Sequence, residues 1–208
     1  MRNKEIYKEK TKETFDKQAK IYDATYYGKH ASKLYTKVID KVEGLNCSNV
    51  LDVGCGTGNI LSLLANEDNL KLFGMDFSQA MLDKAKEKLK DRAELKFGDS
   101  EHIPWEDNHF DGLICTDSFH HYTEPKKVLK EMARVLRPNG SLIIGDPWLI
   151  SPFKTIGNWS LKFSKGGDYR IYSKKEITEL LIDCGFDCID WKLVNLNSFI
   201  LSAKIIKY

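Results

Sequence analysis

The sequence is poor in the features that mark membrane-spanning and secreted proteins. No apolar run approaches the ~18 residues that a membrane-spanning helix needs, and the amino-terminal segment contains no apolar signal core. The five cysteines are scattered and include no C-x-x-C pair, which disfavours a disulfide framework and a cysteine-rich metal site. We therefore expect a cytoplasmic protein with reduced thiols, without a membrane span and without a bound metal.

An excess of either charge is also absent. The 208 residues carry 32 basic and 30 acidic side chains, and the formal net charge is +2. This balance disfavours nucleic acid as a partner, because nucleic-acid-binding surfaces are basic. The sequence contains no repeat, low-complexity stretch or Pro/Gly-rich linker. Residues 1–208 are therefore predicted to form a single domain that is large enough for a full core.

The most informative stretch is residues 49–60, with the sequence N-V-L-D-V-G-C-G-T-G-N-I. An aliphatic run over 50–53 predicts a buried strand. Three alternating glycines follow it, and an aliphatic segment typical of a helix packed on a sheet comes next. In a strand–glycine turn–helix unit, backbone without Cβ atoms lets a ligand come close. The sequence therefore predicts a ligand site at this turn.

The charge beside the turn indicates which ligand binds there. Asp52 lies two residues before Gly54, and a pyrophosphate on the turn would meet its carboxylate at short range. Like charges ~4 Å apart repel by about 4 kcal/mol at an effective dielectric constant near 20. The dinucleotide motif Gly-x-Gly-x-x-Gly also needs glycine where this chain has Asn59. A cationic nucleoside is favoured over a phosphate ligand.

The turn resembles the first motif of the class I S-adenosylmethionine-dependent methyltransferases, hydrophobic-hydrophobic-Asp-x-Gly-x-Gly-x-Gly. The segments D-F-S-Q-A-M-L, F-D-G-L-I, F-H-H-Y and L-R-P-N-G follow in the order typical of the small-molecule (type 11, quinone-biosynthesis-like) group. The resemblance extends from about Phe15 to Ala203. It implies an α/β fold with a Rossmann-like, doubly wound, seven-stranded sheet in the order 3-2-1-4-5-7-6, the last strand antiparallel. It also implies S-adenosyl-L-methionine as cofactor and S-adenosyl-L-homocysteine as product.

Cofactor contacts are expected where the first strands end. Asp76 follows the second predicted strand, where a carboxylate can accept hydrogen bonds from both ribose hydroxyls. The resemblance implies that Asp99 accepts from the adenine amino group, with Ser100 beside it. Phe77 either packs against adenine or belongs to the core. The complete set of expected cofactor contacts is Asp52, Gly54, Cys55, Gly56, Gly58, Asp76, Phe77, Asp99, Ser100 and Asp117.

The resemblance also brings His120 and His121 to the place of the transferable methyl group. A histidine there can act as general base, because its ordinary pKa near 6.5 suits an oxygen or nitrogen acceptor; the alternative is that the segment only shapes the pocket. Acceptor contacts are expected from an amino-terminal arm (1–30) over the cofactor and from a lid or cap segment (146–172). The candidate acceptor-binding residues are Tyr22, Tyr26, Trp148 and Tyr169.

Two structural alternatives remain open for these segments. Phe15, Ala19 and Tyr22 have the i, i+4, i+7 spacing of one helix face, so the arm's tyrosines either line the acceptor pocket or only anchor the arm. The segment 146–172 has little periodicity and many aromatic residues. It covers the acceptor, buries its own aromatics, or does both.

We expect the protein to transfer a methyl group from S-adenosylmethionine to a small-molecule acceptor. Three other functions compete with this one: a nicotinamide-dependent oxidoreductase on a related sheet, a non-catalytic S-adenosylmethionine-binding sensor or scaffold, and an RNA or protein methyltransferase. The near-neutral charge and the aromatic segment disfavour an RNA acceptor. The sequence does not predict the oligomeric state.

Overall fold

The computed structural model describes residues 4–45, 47–67, 69–161 and 167–207, without the side chains of Tyr26, Tyr27 and Cys188. Seven helices lie within these ranges: α1 (Lys4–Gln18), α2 (Tyr26–Glu43), α3 (Asn59–Leu64), α4 (Gln79–Leu89), α5 (Pro125–Val135), α6 (Phe153–Ser160) and α7 (Lys174–Asp183). The seven strands of the described chain are β1 (Asn49–Val53), β2 (Lys71–Asp76), β3 (Ala93–Phe97), β4 (Phe110–Thr116), β5 (Leu136–Pro147), β6 (Phe186–Asn195) and β7 (Ser198–Ile205).

The strands form one sheet in the order β3-β2-β1-β4-β5-β7-β6. The five strands β1 to β5 run parallel to one another, and β7 lies antiparallel between β5 and β6. This arrangement confirms the predicted α/β class, strand order and antiparallel last strand. Because the carboxyl ends of parallel strands meet at one edge, the residues that follow β1, β2, β3 and β4 lie close together.

Helices cover both faces of the sheet and bury its side chains. On one face, α5 and α7 pack on Leu51, Val53 and Leu113. On the other face, α2, α3 and α4 pack on Val50 and Ile114. Neighbouring residues of a strand therefore enter different clusters, as the alternation of side chains along a strand requires. A parallel sheet covered in this way holds its carboxyl edge rigidly.

Two helices begin at serine residues that cap them. Ser78 caps α4 by accepting a hydrogen bond from the Met81 N–H at 3.2 Å. Ser173 and Glu176 form a capping box at the start of α7. Both caps satisfy N–H groups that would otherwise lack a partner in the first helical turn.

The structure differs from the predicted helix face in the arm. α1 ends at Gln18, and Tyr22 lies in a separate 3-10 turn (Tyr22–Ala24) rather than on the same helix as Phe15. Thr25 then caps α2. In segment 146–172, where the sequence shows little periodicity, α6 occupies part of the chain.

No helix among the described residues is both long enough and apolar enough to cross a membrane.

Candidate functional site

A cleft opens at the carboxyl ends of β1, β2 and β4, where doubly wound sheets bind their ligands. Nine of the ten predicted cofactor contacts line it: Asp52, Gly54, Cys55, Gly56, Asp76, Phe77, Asp99, Ser100 and Asp117. Gly58 is not among the lining residues. Its Cβ position lies 2.9 Å from the Leu89 side chain, so this glycine allows α4 to approach the turn.

The glycine turn requires its glycines for two different reasons. Gly54 has a φ of +79°, and a Cβ there would lie 2.2 Å from Oγ of Ser118, so β1 and the loop after β4 meet only because the side chain is missing. Gly56 has a φ of +53°, and no heavy atom of the described chain lies within 4 Å of its Cβ position. Because Gly56 lines the cleft, its open side provides room for a ligand against bare backbone.

Asp52 is a buried carboxyl group with an unmet hydrogen-bonding capacity. Its side chain is 2% exposed, and Oδ1 has no hydrogen-bond partner in the described part of the chain. Burial and the neighbouring Asp76 raise the pKa of Asp52 to about 8. At pH 7 the group is therefore mostly protonated, which corrects the assumption that it is ionised before a ligand arrives. A nearby cation would restore its charge.

Asp76 holds the glycine turn against the start of α4. Its Oδ2 accepts from the Gly56 N–H at 2.8 Å and its Oδ1 from the Ser78 N–H at 2.8 Å. Burial raises the pKa of Asp76 to about 6, although these hydrogen bonds favour the ionised form. The carboxylate thus faces the cleft in a fixed orientation.

Helix α1 lies along the end of the cleft that Asp99 borders. Nζ of Lys8 lies 2.8 Å from Oδ2 of Asp99 and also pairs with Glu101. The other oxygen of Asp99 accepts from the Glu101 N–H at 2.9 Å. Asp16, about two turns after Lys8 on α1, accepts a hydrogen bond from the Ser78 hydroxyl at 2.5 Å. Sequence reasoning missed these contacts because they join residues far apart in the chain.

The two candidate catalytic histidines have different surroundings. His121 lines the cleft, where its ring meets that of Phe15 edge-on at 5.1 Å. Burial lowers the pKa of His121 to about 4, so the ring is neutral at pH 7. His120 is not among the cleft-lining residues that the structure describes. Its Nδ1 lies 3.0 Å from Oδ1 of Asp146. Burial disfavours the charged form of the His120 ring, but the carboxylates of Asp146 and Asp168 outweigh this effect and raise the pKa of His120.

The candidate acceptor-binding residues are only partly brought together. Tyr22 lines the cleft, and its ring contacts that of Phe15 at 5.9 Å. Trp148 instead packs against Trp191 of β6 at 6.2 Å, because its N–H donates to the Asn197 carbonyl and keeps it at the sheet. Tyr169 packs against Tyr7 at 5.6 Å and does not line the cleft either. The Tyr26 side chain and residues 162–166 of the predicted lid lie outside the described part of the chain.

His30 and Tyr122 support or line the cleft but are not among the predicted site residues. Asp117 has a φ of +52°, and its carboxylate lies 3.1 Å from Nδ1 of His30, whose other ring nitrogen lies 3.1 Å from the Ser198 hydroxyl. Tyr122 lines the cleft, with its hydroxyl 3.1 Å from that of Ser118. The aromatic pattern F-H-H-Y could have indicated Tyr122; nothing local indicates His30.

Comparison with known proteins identifies relatives of this chain. Residues 51–144 match a family described as Methyltransferase domain. An uncharacterized methyltransferase of Bacillus velezensis is 33% identical over 139 residues, which are 64% of this chain and 65% of that protein. A demethylmenaquinone methyltransferase of Thermotoga maritima is 33% identical over 114 residues, 54% of this chain and 49% of that protein. The chain spans 37% to 65% of the length of the first four curated relatives.

The fold has solved counterparts. A structure from Thermotoga maritima, described as an S-adenosylmethionine-dependent methyltransferase and possible histamine N-methyltransferase, aligns with a TM-score of 0.72 over 92% of this chain and 98% of that chain. Its sequence identity of 19% limits this likeness to the fold. Domain match, relatives and sheet order all agree with the resemblance to the class I S-adenosylmethionine-dependent methyltransferases that the motifs indicate.

Proposed function

We propose that this protein transfers a methyl group from S-adenosylmethionine to a small-molecule acceptor. The observation that carries the proposal is the buried Oδ1 of Asp52, which has no partner in the described chain and lies at the open glycine turn. A buried polar atom without a hydrogen bond costs about 1–3 kcal/mol. The ammonium group of the cofactor's methionine part is a donor of the right charge for this oxygen, and a phosphate is not.

The other cleft residues fit the remainder of an adenosyl cofactor. Asp76 lies at the end of β2, with its carboxylate oriented by two backbone N–H groups, and would accept from the ribose hydroxyls. Asp99 and Ser100 would meet the adenine edge, and Phe77, which stacks on Phe97 at 5.8 Å, would meet its face. Gly54, Cys55 and Gly56 would supply the close backbone, with Asp117 at the far side.

The cofactor, when bound, supplies a methyl group that is already activated by a sulfonium. The protein's own residues therefore need to align the acceptor and keep water out. Phe15, Tyr22 and Tyr122 give the cleft an aromatic wall. The neutral ring of His121 is the group at this wall that can take a proton from an acceptor O–H or N–H.

A small acceptor with an apolar body is the best match to these walls. Relatives named demethylmenaquinone methyltransferase and 27-O-demethylrifamycin SV methyltransferase support a small-molecule acceptor of this kind. The near-neutral net charge argues against nucleic acid. In this proposal the arm (1–30) encloses the cofactor and segment 146–172 helps to select the acceptor.

We infer that the protein works in a reducing compartment such as the cytoplasm. The four cysteines whose side chains the structure describes, Cys47, Cys55, Cys115 and Cys184, are all free and buried. Free thiols of this kind are typical of proteins that do not encounter an oxidising environment.

Calorimetric titration with S-adenosylhomocysteine and with NADH tests the cofactor. We expect binding of the first alone, and its loss in Asp76→Ala; binding of NADH instead would overturn the assignment. Methyl transfer is then tested by incubating the protein and labelled donor with a metabolite extract and a panel of phenols, quinols and amines. We expect one compound to gain the mass of one methyl group, with no transfer to RNA. Donor binding without transfer to any acceptor would identify a sensor or scaffold instead.

A further inference from the structure

At the cleft wall, His121 belongs to a group of histidine and aspartate side chains whose other members, His120 and Asp168, the methyl-transfer proposal does not use. His120 and His121 follow β4, and Asp168 approaches them from the segment before α7. Nε2 of His120 lies 3.4 Å from Oδ1 of Asp168, and Nδ1 of His121 lies 3.8 Å from the same oxygen. The three ligand atoms all lie within 4.8 Å of one another. We infer that these three side chains bind one divalent transition-metal ion, of which Zn²⁺ is the best candidate.

The first argument is that Nδ1 of His121 is buried without a hydrogen bond in the described part of the chain. It faces Oδ1 of Asp168, whose nearest nitrogen is Nε2 of His120 at 3.4 Å. A neutral imidazole nitrogen with a lone pair and a carboxylate oxygen are both electron-pair donors. Two such atoms side by side, shielded from water, favour a cation beside them, and His120 takes that place while no ion is bound.

The second argument is the geometry of the ligand set. Zinc binds imidazole nitrogen and carboxylate oxygen at about 2.0–2.2 Å, and tetrahedral coordination at these lengths separates ligand atoms by about 3.4 Å. The observed separations of 3.4 and 3.8 Å need only a small adjustment to reach that value. Two histidines and one carboxylate are also a ligand set that catalytic zinc sites use, with the fourth position left open.

The third argument is the support around the ligands. Nδ1 of His120 lies 3.0 Å from Oδ1 of Asp146, whose side chain is fully buried. A carboxylate that fixes the other nitrogen of a ligating histidine is the usual second layer of a metal site. The N–H groups of Tyr169 and Arg170 both donate to the His120 carbonyl at 2.9 and 3.0 Å. Asp168 is thus held beside the histidines before any ion binds.

A neighbouring set made of Asp117, His120 and Asp146 is less suitable, although its ligand atoms are also close. Asp117 is engaged by His30 at 3.1 Å, and Asp146 by His120 at 3.0 Å. Both separations are ordinary hydrogen-bond lengths. Each carboxylate of this set therefore has a histidine at hydrogen-bond distance, although Oδ2 of Asp146 has no partner in the described chain. The contact between His120 and Asp168 is longer, at 3.4 Å, so the ion is placed with Asp168.

The site adjoins the cleft. Because His121 lines the cleft and its Nδ1 is buried toward Asp168, an ion held by that nitrogen would lie directly behind the cleft wall. With the ion in place, the lone pair of His121 is used for coordination, and the residue holds the metal rather than taking a proton. Binding also displaces the proton that Nε2 of His120 otherwise presents to Asp168.

The test measures metal binding directly, without donor or acceptor, so its outcome is separate from that of the proposed function. The complete chain, produced without a polyhistidine tag and stripped with a chelator, is titrated with Zn²⁺ by calorimetry. We expect one ion per chain. Replacing Zn²⁺ by Co²⁺ should give the visible absorption of a four-coordinate site with nitrogen and oxygen ligands.

Variants locate the site. Asp168→Asn and His121→Gln should each weaken Zn²⁺ binding by at least about tenfold, while Asp168→His should retain it by replacing one ligand with another. His102→Gln changes an exposed histidine and serves as the matched control; its Zn²⁺ affinity should equal that of the wild type. The circular dichroism spectrum of each variant shows that it is folded. Absence of stoichiometric binding by the wild type overturns the inference, as does unchanged affinity in Asp168→Asn.

Discussion

The ammonium group of Lys8, on the first helix of the chain, lies 2.8 Å from the carboxylate of Asp99, just beyond the third strand. Lys8 also pairs with Glu101, and its side chain is only 18% exposed. One residue of the arm therefore contacts two acidic residues that border the cleft. This connection makes the arm part of the cleft wall rather than a separate attachment.

Lys8→Gln should weaken binding of S-adenosylhomocysteine by about fivefold, because loss of a partly buried ion pair worth ~1 kcal/mol lets α1 leave the cleft. Calorimetric titration measures the change. Lys17→Gln is the control, since Lys17 lies on the same helix but pairs only with Glu13 on an exposed face. Equal affinities of the two variants would show that the arm does not contribute to donor binding.

Donor binding should become tighter as the pH rises from about 6 to about 8. The pKa of Asp52 is raised to about 8 in the free protein, and an arriving cation lowers it, so binding releases a proton below that pH. The affinity should rise by at most about tenfold per pH unit and level off above pH 8. Titrations in buffers of different ionisation enthalpy count the protons released.

Asp52→Asn provides the control for this pH dependence. The amide of Asp52→Asn cannot titrate, so the increase of donor affinity between pH 6.5 and 8 should disappear. Asp76, with a pKa raised to about 6, should still change the donor affinity below that range. A variant with the full slope of the wild type would show that Asp52 is not the group that releases the proton.

Gly54→Ala and Gly56→Ala should separate stability from binding. Both place a side chain at positive φ, which costs about 1–2 kcal/mol. Gly54→Ala also drives a Cβ into Ser118, so its melting temperature should fall well below that of Gly56→Ala. Gly56→Ala should fold but lose donor affinity, because its methyl group points into open cleft. Melting curves and calorimetry on both variants measure the two effects, and tight donor binding by Gly56→Ala would contradict our placement of the cofactor.

His120→Ala should mainly reduce stability, whereas His121→Asn should mainly reduce turnover. Removing His120 leaves the buried Asp146 and Asp168 without their cationic partner, which should cost about 3–5 kcal/mol of unfolding free energy. His121→Asn should instead retain most of the stability and lose turnover, because His121 is the histidine that faces the cleft.

Denaturant unfolding with a chelator present isolates the protein's own contribution in both variants. Turnover is then compared at saturating donor. A stable His120→Ala protein would show that the two carboxyl groups do not need the ring.

The parts of the fold that follow from local chemistry were predictable from the sequence. The glycine turn, the cap at Ser78 and the capping box at Ser173 are each determined by a few neighbouring residues. The strand order followed from the family resemblance, and the α/β alternation agreed with it. The meeting of Asp52, Asp76 and Asp99 followed as well, because strands that run parallel bring their carboxyl ends to one edge.

The missing parts depend on contacts between distant segments. The pair of His30 and Asp117 spans 87 residues, and that of Lys8 and Asp99 spans 91; no short-range pattern encodes such partners. The aromatic content of segment 146–172 left open whether Trp148 faces the acceptor or packs against other parts of the protein. Its backbone pairing beside β7 determined that it packs on Trp191 rather than in the cleft.

The hydroxyl of Ser78 caps α4 and at the same time donates to Asp16 of α1. In the proposal that the arm encloses the cofactor, α1 lifts before product leaves, and lifting breaks the Lys8 ion pairs together with that hydrogen bond. Dissolved salt screens the ion pairs and not the hydrogen bond. When product departure limits turnover, a moderate rise in ionic strength would therefore accelerate the enzyme instead of inhibiting it.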